Sequence, residues 1–387
     1  MTATHLTTSN TTALQPSITI VVTPRERFSY TQQSLENIYK YTNVPFELVY
    51  VDAGSPKHIQ NYLFRAAAKK RFTLLRTNNF LAPNQARNLG LSQVTTDYVV
   101  FLGNDIHVSP GWLEKLWQCA QETDATVVCP LTCVGKPLHD HIHLAGGEVR
   151  IFMDIKDDQI RRRVYKKTFL ANRSVAVIKH QLHRRACEYA ELHCALIKRD
   201  IFEHIGLLDE QLLSTQDDID FCLSVNQAGG QIYCEPAAIV THVPSVSYRW
   251  SDLTCFMLRW SDTWEVESLM HFQQKWDLDM DEYFLQRYKQ LGYRRHKAFL
   301  YPLLRQLTGG RAIPWLETIT MGLERWLNQM LTDRHRHLSN NTVHKLTPTA
   351  AVQGVWQTST TQEKLQRLVL KQDRTTAQSP QPHLMSH

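Results

Sequence analysis

No apolar run in the 387-residue chain is long enough to cross a bilayer, which argues against a membrane-spanning helix. The first residues, "MTATHLTTSNTTALQPS", have no cationic-then-apolar layout, so no secretory leader is expected from them. Eight cysteines are present without a C-x-x-C pair. The nearest two are Cys129 and Cys133, and most of the others sit in apolar contexts. That pattern excludes a disulfide framework and fits reduced thiols in the core of a cytosolic protein. Excess charge of one sign is also lacking. A net charge of +6 suits an anionic ligand or an acidic membrane surface. The basic residues are dispersed and no nucleic-acid motif accompanies them. Finally, "TPRERFS" (residues 23 to 29), after the first apolar run, contains no glycine. A nicotinamide-dependent oxidoreductase would need G-x-G-x-x-G there.

What is present is an alternation of strands and helices. "ITIVV" (18 to 22) and "FELVYVDAGS" (46 to 55) read as buried strands, and "SYTQQSLENIYKYT" between them has helical spacing. A polar helix over 57 to 70, "FTLLRT", the helix "NQARNLGLSQV" and the strand "DYVVFLGND" follow. This order predicts an α/β fold, a mainly parallel sheet with helices on both faces. Ligands of such sheets bind beyond the carboxyl ends of the strands. Thr23 to Arg27, Asp52 and Asp105 all fall at such ends. From 125 to 190 the pattern loosens into a strand "ATVVCPLTCV", a hairpin expected in "HDHIHLAGGEVRIF" and a charged loop "DDQIRRRVYKK". Strand, helix, acidic loop, helix and strand return over "ALIKRDIFEHIGLLDEQLLSTQDDIDFCLSVNQAGGQIYCEPAAIVTHVP". Beyond 250 only helices rich in Trp and Arg are expected. The divisions read as a disordered arm over 1–16, a catalytic domain over 17–248, a helical extension over 249–334 and a mostly disordered tail over 335–387. The 17–248 domain divides into two halves, 17–107 and 108–248.

One carboxylate holds a divalent metal poorly, so Asp105 needs partners. Asp217, Asp218 and Asp220 open a helix. Capping explains one acid there, whereas three acids in four residues repel unless a cation or substrate compensates. His242 ends an apolar strand, where a neutral imidazole suits metal ligation. His107 lies two residues beyond Asp105 on the same side of an extended segment and is a further metal candidate.

These blocks resemble glycosyltransferase family 2, the inverting GT-A enzymes that use nucleotide-sugars. The resemblance covers about residues 17 to 245 and rests on "VDAGS", on "NQARNLGLSQVTTDYVVFLGND" and above all on "CALIKRDIFEHIGLLDE…DDIDFCLSVNQAGGQIYCEPAAIVTH". It implies a GT-A, Rossmann-like sheet with a C-terminal helical extension. It also implies a hexosyltransferase-type enzyme (EC 2.4) moving sugar from a nucleoside-diphosphate sugar to a hydroxyl acceptor with Mn2+ or Mg2+. Polysaccharide or glycan assembly on the cytosolic side of a membrane is its expected setting. By the resemblance Asp52 bonds the nucleobase, and Arg87 and Asn88 shape the nucleotide pocket. Asp105 is the last aspartate of D-x-D, carrying the metal on the diphosphate. Asp218 is the catalytic base, and His242 is a metal-side ligand. Thr23, Pro24, Arg25, Glu26, Asn104 and Asp217 complete the expected donor site.

Three positions depart from the family pattern. Gly103 replaces the first D-x-D aspartate, so metal contacts must come from Asp105, His242, water and diphosphate, with Asn104 a neutral candidate. Asp217-Asp218 replaces the usual Glu-Asp pair. Arg25 stands where an aromatic commonly meets the base, and guanidinium can stack there instead. Gly103 also sustains an alternative function, a catalytically inactive nucleotide-sugar-binding or scaffold protein on the same fold. His139, His141 and His143 fall on one face if extended, a zinc-like spacing with no evident fourth ligand. Arg249-Trp250 and Arg259-Trp260 resemble part of the Q-x-x-R-W motif of processive synthases. Val246 and Phe256 stand at the Gln positions, which disfavours polymer synthesis. The 250–330 helices are amphipathic and partly basic. They are expected to pack on the catalytic domain, with peripheral membrane contact as the other expectation.

Overall fold

The computed structural model of the protein describes residues 16–156, 159–242, 248–311 and 313–342. In chain order the strands are β1 (Ile18–Thr23), β2 (Glu47–Ala53), β3 (Thr73–Thr77), β4 (Tyr98–Gly103), β5 (Ile106–Val108), β6 (Val127–Val134), β7 (Ile142–Leu144), β8 (Gly147–Lys156), β9 (Gln159–Thr168), β10 (Arg185–Cys187), β11 (Cys194–Lys198) and β12 (Ile232–His242). Ten of them form one mixed sheet in the order β10-β12-β6-β11-β4-β1-β2-β3, with β5 on β12 and β7 on β6. β1, β2, β3 and β4 run parallel, as do β6 and β12, while β11 is antiparallel to both its neighbours.

Helices cover both faces because alternate strand residues are apolar on both sides. Ile18, Ile20 and Val22 pack with Leu35 and Ile38 of α1 (Thr31–Tyr41) and with Trp112 and Leu116 of α4 (Trp112–Thr123). On the opposite face Val21, Val49 and Phe101 meet Leu91 of α3 (Pro83–Leu91) and Phe202 and Phe221. α3 lies so close to β1 that a Cβ on Gly90 would sit 2.2 Å from Val21 Cγ1. Seven of the eight cysteines are buried, Cys187 is half-buried, and all are free.

Of the charged loop expected over 157–167, residues 157 and 158 lie outside the described residues, and residues 159–167 are instead part of strand β9, paired along its length with β8. Its cations suggest solvent by composition, but they meet carboxylates: Arg163 binds Asp154 and Asp281 at 3.0 and 2.8 Å, and the Arg162 N–H donates to Asp279. The hairpin expected in "HDHIHLAGGEVRIF" is not formed, because β7 joins β6 and β8 joins β9.

Beyond 250 the described chain is helical: Leu253–Arg259, Asp262–Lys275, Glu282–Lys289, Tyr301–Leu307 and Pro314–Thr342 are its main helices. The last helix runs eight residues past Arg334, where the tail was expected to begin. Its last turns are fixed by His335, which bonds the Phe80 carbonyl at 2.7 Å. Residues 1–15 and 343–387 of the expected arm and tail lie outside the described residues, as do Val243, Pro244 and Val246. The helical extension is tied to the sheet through buried Asp252, which accepts from the Phe28 and Ser29 N–H groups at 2.9 Å each and from the Ser29 hydroxyl at 2.6 Å.

Candidate active site

The sheet topology explains why residues 137 apart in sequence meet. β4 is registered on β1 with Thr23 opposite Gly103, which brings the Thr23–Arg27 segment beside Asp105. β5 then leaves β4 and pairs antiparallel with β12, placing Ile106 opposite His242. The imidazole Nε2 of His242 thus lies 3.1 Å from Asp105 Oδ2.

Asn104 shapes the loop after β1. It accepts from the Arg25 N–H at 3.1 Å and donates to the Arg27 carbonyl at 2.9 Å and the Thr31 hydroxyl at 3.3 Å. The Asn104 side chain, expected as a donor contact and a neutral metal candidate, is buried and engaged by this loop. Its role is to present Arg25 and Glu26.

Glu26, Asp105 and His242 each bring one ligand atom within 4.8 Å of the others. Asp105 is fully buried, and its Oδ1 has no hydrogen-bond partner. An orphaned buried oxygen beside a second carboxylate and an imidazole fits a hard divalent cation. The ionisation states agree. Burial raises the Asp105 carboxyl, but His242 and Arg25 outweigh it and hold the group well below the usual carboxylate range. Burial likewise opposes ionisation of Glu26, yet Arg25, His242 and Arg294 bring it down to about 2. Burial, then Arg25, lowers His242 from the ordinary imidazole value, which favours the neutral ring that ligation requires. Glu26, expected as a donor contact, stands in one group with Asp105 and His242. Arg294 of the extension and Tyr248 just before it also bind Glu26, at 3.1 and 3.2 Å. His107 lies on β5 opposite Thr241, edge-on to Tyr30, and is not in this group.

A second cluster faces the same cavity. Asp218 opens the Asp217–Gln227 helix, and its Oδ1 accepts the Leu192 N–H at 2.7 Å. Glu191 and His193 stand beside it, all three within 4.8 Å, and His143 and His193 each place a ring nitrogen 2.9 Å from Glu191. Burial, then the neighbouring charges of Asp217 and Glu191, raises the Asp218 carboxyl to about 7. Asp217 goes the other way, because Arg87 and Arg259 overcome its burial and Arg87 binds it at 2.7 Å. Two adjacent aspartates are thereby given different protonation behaviour. The third, Asp220, is fixed by Lys275 and Trp276 away from the cavity. The rings of His193 and His242 stack at 6.3 Å and connect the two clusters.

A cavity of about 1060 Å³ runs from Thr23, Pro24, Arg25 and Glu26 past Arg87, Asp217 and Asp218 to an aromatic wall that includes Phe256, Trp260 and Phe299. Asn88 lies outside its lining. The Asn88 amide is spent on Leu208 and Glu210, so it locks α3 to the "GLLDE" segment and does not shape the nucleotide pocket directly. Asp52 also lies outside the lining, its oxygens held by Arg76 and the Ser55 N–H. The zinc-like histidines diverge: His139 bonds Thr241, His141 sits by Asp140 and His143 binds Glu191. Sequence reading missed Glu191 and His193, although "ELH" sets both on one side of an extended segment before β11.

The family model described as "Glycosyl transferase family 2" matches residues 19–206. Among curated relatives, a pre-mycofactocin glycosyltransferase of Mycobacterium tuberculosis is 25% identical over 195 residues, 50% of this chain and 37% of the relative. The mouse polypeptide N-acetylgalactosaminyltransferase 4 is 21% identical over 237 residues, 59% of this chain and 38% of the relative. The chain therefore spans little more than a third of the length of these relatives. Among solved structures, a mannosyltransferase from Pyrobaculum calidifontis in complex with GDP-Man and Mn2+ aligns with a TM-score of 0.44 at 16% identity, over 86% of this chain and 87% of that one. The family model matches across both the β1–β4 half and the strand before the acidic helix, so residues 19–206 form a domain of glycosyl transferase family 2.

Proposed function

We propose that the protein transfers a sugar from a nucleoside-diphosphate sugar to a hydroxyl acceptor in a single inverting displacement, in the assembly of a polysaccharide or glycan. The observation that carries this reading is the division of labour in one cavity. A low-lying Glu26–Asp105–His242 group stands at one part of it, and an aspartate raised to about 7 stands at another. Asp218 in its ionised form takes the proton of the acceptor hydroxyl. The hydroxyl oxygen bonds to the anomeric carbon, and the bond to the diphosphate oxygen breaks with its electron pair leaving on the nucleotide. Glu26, Asp105 and His242 would hold Mg2+ or Mn2+, which when bound neutralises charge growing on that phosphate oxygen. Arg25 lines the cavity between the clusters and adds a fixed positive charge on the donor side. Arg87 keeps Asp217 ionised and so sustains the charge that raises Asp218.

The reading without turnover, a nucleotide-sugar-binding protein, draws on Gly103, which leaves the D-x-D position without a carboxylate. Nucleotide release should be followed across UDP-, GDP- and dTDP-sugars with Mn2+, Mg2+ or EDTA, with Asp105→Ala and Asp218→Ala alongside and thermal-shift binding in parallel. Metal-dependent release from one donor, lost in both variants, is expected. Donor binding by the wild type with no turnover across a panel of hydroxyl acceptors would favour the binding protein. No binding of any nucleotide-sugar would overturn both readings.

A further inference from the structure

The last helix, Pro314–Thr342, is amphipathic in the inverted sense. Its inward face is polar. Asn328 and Thr332 are 1% and 0% exposed, and they bond the Met257 carbonyl and the Ser261 hydroxyl, while Glu324 takes Arg295 and His296. Its outward face is apolar. Trp315, Ile319, Leu323, Trp326 and Met330 follow one another at three- and four-residue spacing, which lines them along one side of a helix. They are between 45% and 66% exposed, and among the described residues none covers them. Leu303 and Leu307 of the preceding helix are exposed as well, and Leu303 and Leu327 also line the mouth of the active-site cavity. A helix needs its apolar face for folding when that face points inward. Here polar contacts do the docking, so the outward stripe has no structural use in the described fold.

Charge indicates what the stripe meets. From residue 283 to 316 the sequence holds seven Lys and Arg residues and no Asp or Glu. Five of them, Lys289, Arg294, Lys297, Arg305 and Arg311, are exposed. A second copy of this chain, packed symmetrically on the stripe, would bring that cationic segment towards itself. An anionic surface would be attracted by it. Tryptophans beside exposed cations are the side chains that settle at the interface of a bilayer.

We propose that this face, the outward side of Pro314–Thr342 with the cationic segment before it, docks on an anionic lipid bilayer. The mouth of the cavity at Leu303 and Leu327 then lies against the membrane. Docking is independent of the glycosyl-transfer reading, and its test reads binding and not turnover.

The test is flotation of the full chain with phosphatidylcholine vesicles, with and without about one third phosphatidylglycerol. The wild type should float with the anionic vesicles, in a salt-sensitive way, and show a blue-shifted tryptophan emission. The double variant I319E/L323E should lose at least about ten-fold in vesicle affinity. It should keep the wild-type melting temperature and nucleotide-induced thermal shift, because neither residue is buried. R305E/R311E should lose the preference for anionic lipid. Absence of wild-type flotation, or equal flotation of I319E/L323E, overturns the proposal. So does a wild-type dimer that I319E/L323E disperses and that ignores vesicles, which would assign the stripe to a second copy.

Discussion

Replacing Asp218 by Asn separates the cost of this site from its use. The folded protein holds the Asp218 proton up to about 7, whereas an ordinary aspartate releases it near 3.8. Each unit of such a shift is worth about 1.4 kcal/mol, so ionised Asp218 costs the folded state about 4 kcal/mol when fully charged. Water reaching the open cavity screens part of this, and about 2 kcal/mol is the working figure. The sign follows from which state binds the proton more tightly. Between the ordinary aspartate range and 7 the unfolded chain has already lost the proton and the folded chain has not. Stability therefore falls as pH rises through that window, and the full cost stands above 7. Asn cannot ionise, and its side-chain oxygen can still accept the Leu192 N–H at the position Asp218 Oδ1 occupies.

Asp218→Asn should thus melt several degrees above wild type at pH 8 and at nearly the same temperature at pH 4, by calorimetry or dye fluorescence over a pH series. The same substitution removes the base, so transfer should fall by about 10²–10⁴-fold. Wild-type rates should rise tenfold per pH unit below about 7 and then level. A variant that is less stable at pH 8, or a stability gap independent of pH, would refute the charge argument. Retained turnover would refute the base assignment.

Glu26→Gln and His242→Ala should each abolish the additional thermal shift that Mn2+ gives on top of nucleotide, since each removes one of three converging ligands. Gly90→Ala should cost about 1–3 kcal/mol in denaturant unfolding, because its methyl group would overlap Val21 Cγ1, which would lie only 2.2 Å from the new Cβ. Asp252→Ala should cost about 2–4 kcal/mol in the same assay, since it strands the Phe28 and Ser29 N–H donors and frees the extension from the loop after β1.

Strands β1, β2 and β4 were legible because each holds an apolar run, "ITIVV", "LVYV" and "YVVFL", that stops at a polar residue or glycine. Asp105, His242 and Asp218 were legible for the same reason: each sits at the end or start of a readable element. The rest depended on which strand pairs with which. Nothing local in "QIRRRVYKK" reveals that β8 lies opposite it, and its alternating cations look solvated until Asp154, Asp279 and Asp281 are brought to them. Asn88 and Asn104 looked like pocket residues because they sit within pocket motifs. Only the fold shows their amides spent on Leu208 and on the Arg27 carbonyl. Glu191 was hidden because its importance comes from His143, 48 residues earlier, and from Asp218, 27 residues later.

Two departures from the family pattern, Gly103 and Arg25, are in physical terms one exchange. A Cβ at residue 103 would lie 3.2 Å from Asp105 Oδ1 and 3.5 Å from Arg25 Cδ, so the Arg25 stem occupies ground next to the missing side chain. Its guanidinium reaches within 3.7 Å of both Asp105 and Glu26, and its Nε and Nη1 have no hydrogen-bond partner. A buried guanidinium with free donors at the edge of a cavity is suited to a diphosphate oxygen. If the two residues form a unit, their substitutions must not add. Gly103→Asp should weaken donor binding severalfold, because atoms beyond the Cβ compete with the Arg25 stem for space, and Arg25→Ala should weaken it more by removing the cation. In the double variant the added carboxylate has the ground of the Arg25 stem to itself, so binding should be no weaker than that of Arg25→Ala alone. Isothermal titration of the donor into all four proteins measures the coupling, expected at about 0.5–3 kcal/mol for residues in contact. Strictly additive losses would mean that Gly103 and Arg25 act independently, and that the missing carboxylate has not been exchanged for the guanidinium.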